Sequence, residues 1–299
     1  MDVSNRFQAW SLETVFVSSD ERHHLHPDAE PDVWRRGALL GSGGFGDVFT
    51  ERCVDGPRRH QTRAVKQIRK SPDAWRLVQR ELGVLVDCAT DDNKHDSRDN
   101  FVRFLGWFGD STHLYIAMEL VPFGDLQSHI STRPCSERST AVIIEQVGRA
   151  LQFMHERSFV HRDLKPANIL VARPCPDWHV KLTDFGISKN IDNTELRTQV
   201  GTAAYMAPEL FERNDANIKI TSAVDIWSLG AVAFCARTGK APFANTYELC
   251  KFSSGTTRFP TQPLMRSSGA FVDFIFRLME KLPAGRPTMA EALEHDWVV

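Results

Sequence analysis

The sequence of 299 residues lacks the features that mark several classes of protein. No apolar run approaches the length of a membrane-spanning helix. The N-terminus has no basic stretch followed by an apolar block, so nothing indicates a secretory signal. The formal net charge is -2, which provides no basic field to attract nucleic acid or an anionic membrane surface. We therefore expect a globular protein with no membrane segment and no nucleic-acid partner.

Paired cysteines are also missing. The six cysteines are scattered, with no CxxC pair and no histidine at a zinc-site spacing; they are Cys53, Cys88, Cys135, Cys175, Cys235 and Cys250. This pattern predicts free thiols in a reducing compartment, the cytoplasm or the nucleus. Three histidines occur within residues 23–26, but a metal site needs fixed geometry and usually a fourth ligand. We interpret them as part of a solvated polar turn.

The chain has no internal repeat. Its pattern of polar and apolar residues changes twice along the sequence. Residues 1–32 are interpreted as a flexible N-terminal extension: residues 11–19 alternate like a strand, but residues 20–32 are polar and indicate a mobile linker. From Trp34 the sequence is rich in strand patterns, and after Pro122 helical patterns dominate. This order predicts a small β-rich half followed by a larger helical half, with a ligand cleft between them.

A glycine-rich stretch, GSGGFG, lies in the β-rich half. Its glycines are Gly41, Gly43 and Gly46. A dinucleotide-binding loop would be followed by a helix, whereas DVFT after this stretch is typical of a strand. By itself the stretch is compatible with a tight hairpin or with a hairpin whose backbone N–H groups cover nucleotide phosphates.

Lys66 lies within an apolar strand pattern, between Val65 and Ile68. A buried ammonium group needs an anionic partner. Glu81 in the following helical pattern is one candidate, and phosphate oxygens are another. The alternative is a lysine whose long side chain reaches the surface.

The stretch HRDLKPANIL, residues 161–170, combines an aspartate, a lysine and an asparagine that are each costly to desolvate. Asp184 follows a second strand pattern, where its carboxylate suits a hard cation together with the amide oxygen of Asn168. Asp163 is then available to orient a hydroxyl and accept its proton, and Lys165 to neutralise a moving phosphoryl group. Phosphoryl transfer uses all of these groups.

These motifs occur in a fixed order. The glycine loop, AVK, Glu81, HRDLKPAN, DFG, APE, DIWSLG and GRPT follow one another as in the eukaryotic protein kinase family, which the chain resembles over residues 33–297. The resemblance implies an α+β, two-lobed protein-kinase-like fold. It has a small antiparallel β-sheet N-lobe with one main helix (residues 33–120) and a larger, mainly helical C-lobe (residues 121–299).

The resemblance also implies a role for each matching residue. The expected catalytic residues are Asp163 as the base, Lys165, Lys66 and its ion-pair partner Glu81. The expected ligands of Mg²⁺ are Asn168 and Asp184. The expected ATP contacts are Gly41, Gly43, Gly46, Val48, Ala64, Lys66, Met118, Glu119, Val121, Asp125 and Leu170. Leu85, Phe104, His161 and Phe185 are expected to stack as a spine. Glu209 and Arg286 are expected to form a buried pair, and Asp225 to anchor the catalytic loop.

The stretch GTAAYMAPE resembles the serine/threonine branch, so the resemblance implies transfer of the ATP γ-phosphoryl group to Ser/Thr hydroxyls of protein substrates. Thr202 is expected to shape the substrate site. Thr198 is expected to carry an activating phosphate that pairs with Arg162 and Lys189. The alternative is a pseudokinase, a scaffold or allosteric partner that binds nucleotide without transfer. A small-molecule phosphotransferase is disfavoured, because such enzymes lack this peptide platform.

Overall fold

The computed structural model describes residues 8–43, 46–71, 83, 86, 99–184, 202–211 and 221–299. The chain divides into two compact units. The first takes its described residues from Met1–Lys94 and Val102–Val121, and the second from His95–Phe101 and Pro122–Val299. No helix in the part of the chain that the structure describes is long and apolar enough to cross a membrane.

The first unit contains a seven-stranded antiparallel sheet. In chain order its strands are β1 (Thr14–Phe16), β2 (Glu21–His26), β3 (Ala29–Gly43), β4 (Gly46–Asp55), β5 (Thr62–Arg69), β6 (Phe104–Gly109) and β7 (His113–Glu119). Their spatial order is β1-β2-β3-β4-β5-β7-β6. The core between the strands includes Phe49, Val65, Phe108, Tyr115 and Ala117. The strand–glycine turn–strand pattern over β3 and β4 is confirmed.

The expectation of a mobile linker over residues 20–32 is wrong. Arg22 pairs with Trp34, and His24 pairs with Asp32, in the β2–β3 register. The solvated turn expected at residues 23–26 is also wrong, because these residues lie in β2 and His24 is 2% exposed. The polar composition was misleading because polar side chains of β2 find partners inside the sheet instead of in water.

Residues 10–16, here called the N-terminal strap, join the two edges of this sheet. The Leu12 N–H donates to Trp107 O on β6 (2.8 Å), and the Trp107 N–H donates to Trp10 O (3.0 Å). The last three residues of the strap, Thr14–Phe16, form β1 at the opposite edge of the sheet. Gly106 permits the close approach: its φ is +131°, and a Cβ there would lie 3.0 Å from Trp10 O. The strap therefore closes the sheet into a barrel, which removes its open edges.

Inside the barrel lies a buried ionic cluster formed by Arg22, Glu51 and Arg63. Arg22 Nη1 is 3.0 Å from Glu51 Oε1, and Arg63 Nη2 is 2.6 Å from Glu51 Oε2. The three side chains are at most 4% exposed. The Arg63 guanidinium also lies 3.8 Å from the centre of the Trp34 ring. Removing one partner from such a cluster would leave an uncompensated buried charge, which costs about 3–5 kcal/mol.

The second unit is mainly helical. Its helices are α1 (Leu126–Thr132), α2 (Glu137–Glu156), α3 (Ala223–Thr238), α4 (Thr246–Ser253), α5 (Gly269–Leu278) and α6 (Met289–Leu293), and its strands are β8 (Ile169–Arg173) and β9 (His179–Leu182). Ser136 caps α2 by accepting from the Ser139 N–H. Helix α3 is buried from Val224 to Ala236, as its almost wholly apolar sequence predicts.

Candidate active site

The loop between α2 and β8 holds the predicted catalytic side chains close together. Lys165 Nζ donates to Asp163 Oδ2 at 2.9 Å. The Asn168 amide donates to the Asp163 carbonyl at 2.8 Å and to Asp163 Oδ2 at 3.2 Å. Both side chains therefore contact the same oxygen of Asp163, which fixes the rotation of its carboxylate. Among the described residues, no donor is recorded for the other oxygen, Oδ1.

Asp225 of helix α3 supports this loop from behind. Its carboxylate is fully buried and accepts the N–H groups of His161 and Arg162, each at 2.8 Å, and His155 Nε2 at 2.9 Å. Burial by itself would raise the pKa of Asp225, but the bonds from His155 and the backbone outweigh it and lower the pKa. The ionised carboxylate holds Arg162 at its positive φ of 65°. The predicted anchoring by Asp225 is confirmed.

A second predicted anchor of this unit is also present. Arg286 Nη1 donates to Glu209 Oε1 at 2.7 Å, and Arg286 Nη2 donates to Glu209 Oε2 at 2.8 Å. Arg286 also donates to the Ala223 carbonyl at the start of α3. This bidentate pair confirms the predicted buried contact and, with the bond to Ala223, links the APE motif to the start of the central helix.

The β8–β9 hairpin brings Asn168 and Asp184 to the same end of two paired strands. Ile169 pairs with Leu182, and the Thr183 N–H donates to the Asn168 carbonyl at 3.0 Å. Asn168 comes directly before β8 and Asp184 comes two residues after β9. An amide oxygen and a carboxylate are hard donors suited to Mg²⁺, which usually takes its other ligands from phosphates and water. The donor set therefore fits the predicted magnesium ligands.

The predicted phosphate-covering glycines lie at the β3–β4 turn in the first unit. Gly43 pairs with Gly46, whose φ of +120° and tight approach to Gln67 O exclude a side chain. At Gly41 and Gly43 the reason is different, because a Cβ would meet nothing within 4 Å. The surrounding residues of the chain therefore leave room for a side chain at these two positions. Glycine there is consistent with the close approach of a ligand to the backbone.

Lys66 lies on β5 opposite Val48 of β4 and Ile116 of β7. It is 3% exposed, so it does not reach the surface as the alternative interpretation required. Its expected partner Glu81 lies outside the described residues. An ammonium group buried to this extent needs an anionic partner.

The remaining predicted nucleotide contacts of the first unit lie on β5 and at the end of β7. Ala64 pairs with Met118, and both are buried. The Glu119 N–H donates to Arg103 O (2.9 Å), while Glu119 Oε1 accepts the Arg103 N–H (2.8 Å). Val121 is 9% exposed. Paired backbone and side-chain bonds to Arg103 therefore fix the end of β7 before the chain leaves the unit.

Asp125 and Leu170 belong to the second unit and form an isolated bridge with each other. Asp125 also caps helix α1, since its Oδ1 accepts the Ser128 N–H at 2.8 Å and the Ser128 hydroxyl at 3.0 Å. Its Oδ2 has no recorded donor among the described residues. The capping role was not expected from the sequence.

Several predicted residues fall where the structure gives no description: Glu81, Leu85, Phe185, Lys189 and Thr198. Thr202 begins a 3-10 turn, Thr202–Tyr205, and only its backbone is described. Trp10 was not predicted to have a role, but its ring lies 5.3 Å from that of Phe104, an expected spine residue. The strand-like alternation of residues 11–19, directly after Trp10, was the only indication in the sequence that this segment belongs to the sheet.

Comparisons with known proteins agree with this geometry. The protein kinase domain family model matches residues 34–298. Calcium/calmodulin-dependent protein kinase type 1B of Rattus norvegicus is 32% identical over 264 residues, which cover 87% of this chain and 73% of that protein. Calcium/calmodulin-dependent protein kinase cmkA of Emericella nidulans is 32% identical over 274 residues, which cover 89% of this chain and 62% of that protein.

Among solved structures, Rad53 residues 1–466 in complex with AMP-PNP is similar, with a TM-score of 0.71 and 33% identity. The match covers 89% of this chain and 65% of that one. The chain belongs to the protein kinase family and is a serine/threonine protein kinase that uses ATP with Mg²⁺.

Proposed function

We propose that this kinase is catalytically active and that Asp163 is the base that receives the proton of a substrate Ser or Thr hydroxyl. The observation that carries the proposal is the fixed Asp163 carboxylate, whose Oδ2 contacts both Lys165 and Asn168. Those two contacts leave Oδ1 for the incoming hydroxyl. Holding the acceptor in line is the main demand of phosphoryl transfer, which asks little covalent chemistry of the protein.

The other roles in the second unit follow from charge. Asn168 and Asp184 hold Mg²⁺, which when bound neutralises negative charge on the ATP phosphate oxygens. Lys165 stabilises the charge of the transferring group from the side of Asp163. Asp125 meets the ribose through its uncapped oxygen, and Leu170 lies against the base. Thr202 shapes the site that the substrate peptide occupies.

The residues of the first unit bind the nucleotide. Gly41, Gly43 and Gly46 present backbone N–H groups to the phosphates, and Lys66 contacts the phosphates and pairs with Glu81. The adenine is held between Val48 and Ala64 and by the backbone of Glu119 and Val121, with Met118 behind it. The burial of Lys66 and the open space at Gly41 and Gly43 support this assignment.

The test is ATP-dependent phosphorylation of an arrayed peptide library. Asp163→Asn is expected to lower turnover by about 10²–10⁴-fold, because the general base is lost. ATP affinity is expected to stay close to that of the wild type. Asp177→Asn, at an exposed loop position, is the matched control and should change neither quantity. Equal turnover in the Asp163 variant and the wild type would rule out the assigned role, and an inactive wild type that still binds ATP would favour the scaffold alternative.

Regulation by phosphorylation of Thr198 is part of this proposal. The guanidinium of Arg162 and the ammonium of Lys189 carry like charges that a phosphate on Thr198 would neutralise through charge-assisted hydrogen bonds. Mass-spectrometric site mapping, paired with turnover before and after phosphatase treatment, tests it. Thr198→Ala should lower turnover with little change in ATP affinity. An unmodified Thr198 in fully active protein would refute the proposal.

We also propose a cytoplasmic or nuclear location. Support comes from the free thiols of Cys53, Cys135, Cys175, Cys235 and Cys250, which suit a reducing compartment. Colocalisation of the tagged full chain with compartment markers tests the location.

A further inference from the structure

A cavity of about 810 Å³ lies in the second unit, apart from the residues assigned to phosphoryl transfer. Its wall is formed by the end of α1, the start of α2, the loop between β8 and β9, and the end of α3. Two cysteines that the kinase mechanism does not use, Cys135 and Cys175, both line it. They come from different sides, since Cys135 precedes α2 and Cys175 lies in the β8–β9 loop.

Hydrogen bonds and a ring contact hold these two sides together. The rings of His129 on α1 and Trp178 in the β8–β9 loop meet edge to face, with centres 5.6 Å apart. Gln146 of α2 donates to the Trp178 carbonyl at 2.9 Å and accepts the Val180 N–H at 2.9 Å. On the other side, the Cys135 N–H donates to the Ala236 carbonyl of α3 at 2.8 Å. The two thiols are therefore presented to one cavity by segments in fixed contact.

The two thiols differ in accessibility. Cys175 is exposed, whereas Cys135 is 8% exposed. Burial is the main cause that raises the pKa of Cys135 to about 11, and the thiols of Cys175 and Cys235 contribute less. Because Cys175 is exposed and Cys135 is buried, an oxidant in solution would react first with Cys175.

We propose that Cys135 and Cys175 form a disulfide in the presence of hydrogen peroxide, which makes the cavity wall a site of oxidative modification. In the first step the Cys175 sulfur attacks peroxide, the O–O bond breaks, and sulfenic acid and one water form. In the second step the Cys135 sulfur attacks the Cys175 sulfur, the S–O bond breaks, and the proton of the Cys135 thiol passes to the departing hydroxyl, which leaves as a second water. Two thiols are oxidised by two electrons, and one peroxide is reduced to two waters.

The cross-link would tie the turn of the β8–β9 hairpin to the N-terminal end of α2. That hairpin begins directly after Asn168 and ends two residues before Asp184. The inference does not depend on the roles assigned to those two residues, because its test reads the chemical state of sulfur.

The test treats the full chain with hydrogen peroxide and compares non-reducing with reducing peptide maps. The wild type should lose about 2 Da as one disulfide forms. Trypsin cleaves between the two cysteines, so a peptide pair joined through Cys135 and Cys175 identifies the bond. The pair should be absent in Cys175→Ser, an exposed position where folding is expected to persist. It should be unchanged in Cys250→Ser, the matched exposed control.

Three outcomes would overturn the proposal. One is conversion of Cys175 to sulfinic or sulfonic acid while Cys135 stays reduced. Another is a disulfide that joins Cys175 to a different cysteine, such as Cys235. The third is resistance of both thiols to peroxide under conditions that oxidise Cys250.

Discussion

The imidazole of His24 lies in the middle of a hydrogen-bond chain that runs from the barrel interior to the strap. Arg63 Nη2 lies 2.6 Å from His24 Nε2, and because a guanidinium only donates, this nitrogen is the acceptor. His24 Nδ1 then carries the proton and donates to Thr14 Oγ1 at 2.7 Å, and the Thr14 hydroxyl donates to Leu12 O at 2.7 Å. The neutral tautomer of His24 is thus fixed by its neighbours.

This arrangement predicts a pH dependence of stability. Burial, followed by the charges of Arg63 and Arg22, lowers the pKa of His24 to about 2. Below a pH of about 6.5 the unfolded chain binds a proton at this residue and the folded chain does not. The free energy of unfolding should therefore fall as the pH decreases below about 6.5, by about 1.4 kcal/mol per pH unit from His24.

Urea unfolding of the wild type and His24→Gln between pH 7 and pH 5 measures this contribution. The variant should be less stable at pH 7 but should show a shallower pH dependence. His23→Gln, at a half-buried position of the same strand, is the matched control and should retain the wild-type dependence. Identical slopes in wild type and His24→Gln would show that His24 is not the titrating group.

At this scale the sequence predicted the residues whose motifs are contiguous. Asp163, Lys165 and Asn168 lie within six residues, so their contacts follow from one loop. The Arg22–Glu51–Arg63 cluster could not be predicted, because its members lie on three strands and each alone is typical of a solvated position. Only the sheet register brings their charges together away from water.

Among the elements, the strap determines whether the first unit has open sheet edges. Its contact with β6 depends on Gly106, where a Cβ would lie 2.9 Å from the Leu12 side chain. Gly106→Ala should displace the strap and impose backbone strain of about 1–3 kcal/mol at positive φ. Hydrogen exchange of the Leu12 and Trp107 amides should become faster, because each donates across this contact.

Gly255→Ala is the control for this variant. Gly255 also has a positive φ, +77°, but a Cβ there would meet only Lys281 Nζ at 4.0 Å. It carries the backbone strain without the steric conflict, so exchange of the Leu12 and Trp107 amides should stay at the wild-type rate. Equal protection of these amides in Gly106→Ala and the wild type would contradict the proposed dependence of the strap on Gly106.

The elements were predicted best where a single face or cap defines them. Helix α2 begins after Ser136, and its apolar face, which includes Ile143, Val147 and Leu151, is buried. Strand β2 was missed because Arg22 and His24 occupy its inward positions, where an alternating pattern needs apolar residues. When the buried face of a strand is ionic, polar and apolar residues no longer alternate, so the sequence pattern does not predict a strand.

For the molecule as a whole, bound nucleotide is expected to add to stability by linkage. A ligand that binds only the folded state at about 100 times its Kd raises the free energy of unfolding by about 2.7 kcal/mol. With a net charge of only -2, repulsion between like charges contributes little to stability, so stability should depend little on salt concentration. The gain from bound nucleotide should therefore be measurable in ordinary buffers. Thermal unfolding with ATP, with and without Mg²⁺, measures it.

The magnesium-dependent part of this gain should require Asp184. Asp184→Asn removes a carboxylate charge that is proposed to face the cation, so its melting temperature should rise less with Mg²⁺–ATP than that of the wild type. The rise with metal-free ATP should be similar in both proteins. Asp163→Asn is the matched control: it removes the same charge from the same unit at a position proposed to face the hydroxyl acceptor, so it should respond like the wild type. If Asp184→Asn lost the response to metal-free ATP to the same extent as the response to Mg²⁺–ATP, Asp184 would act on the fold and not on the metal.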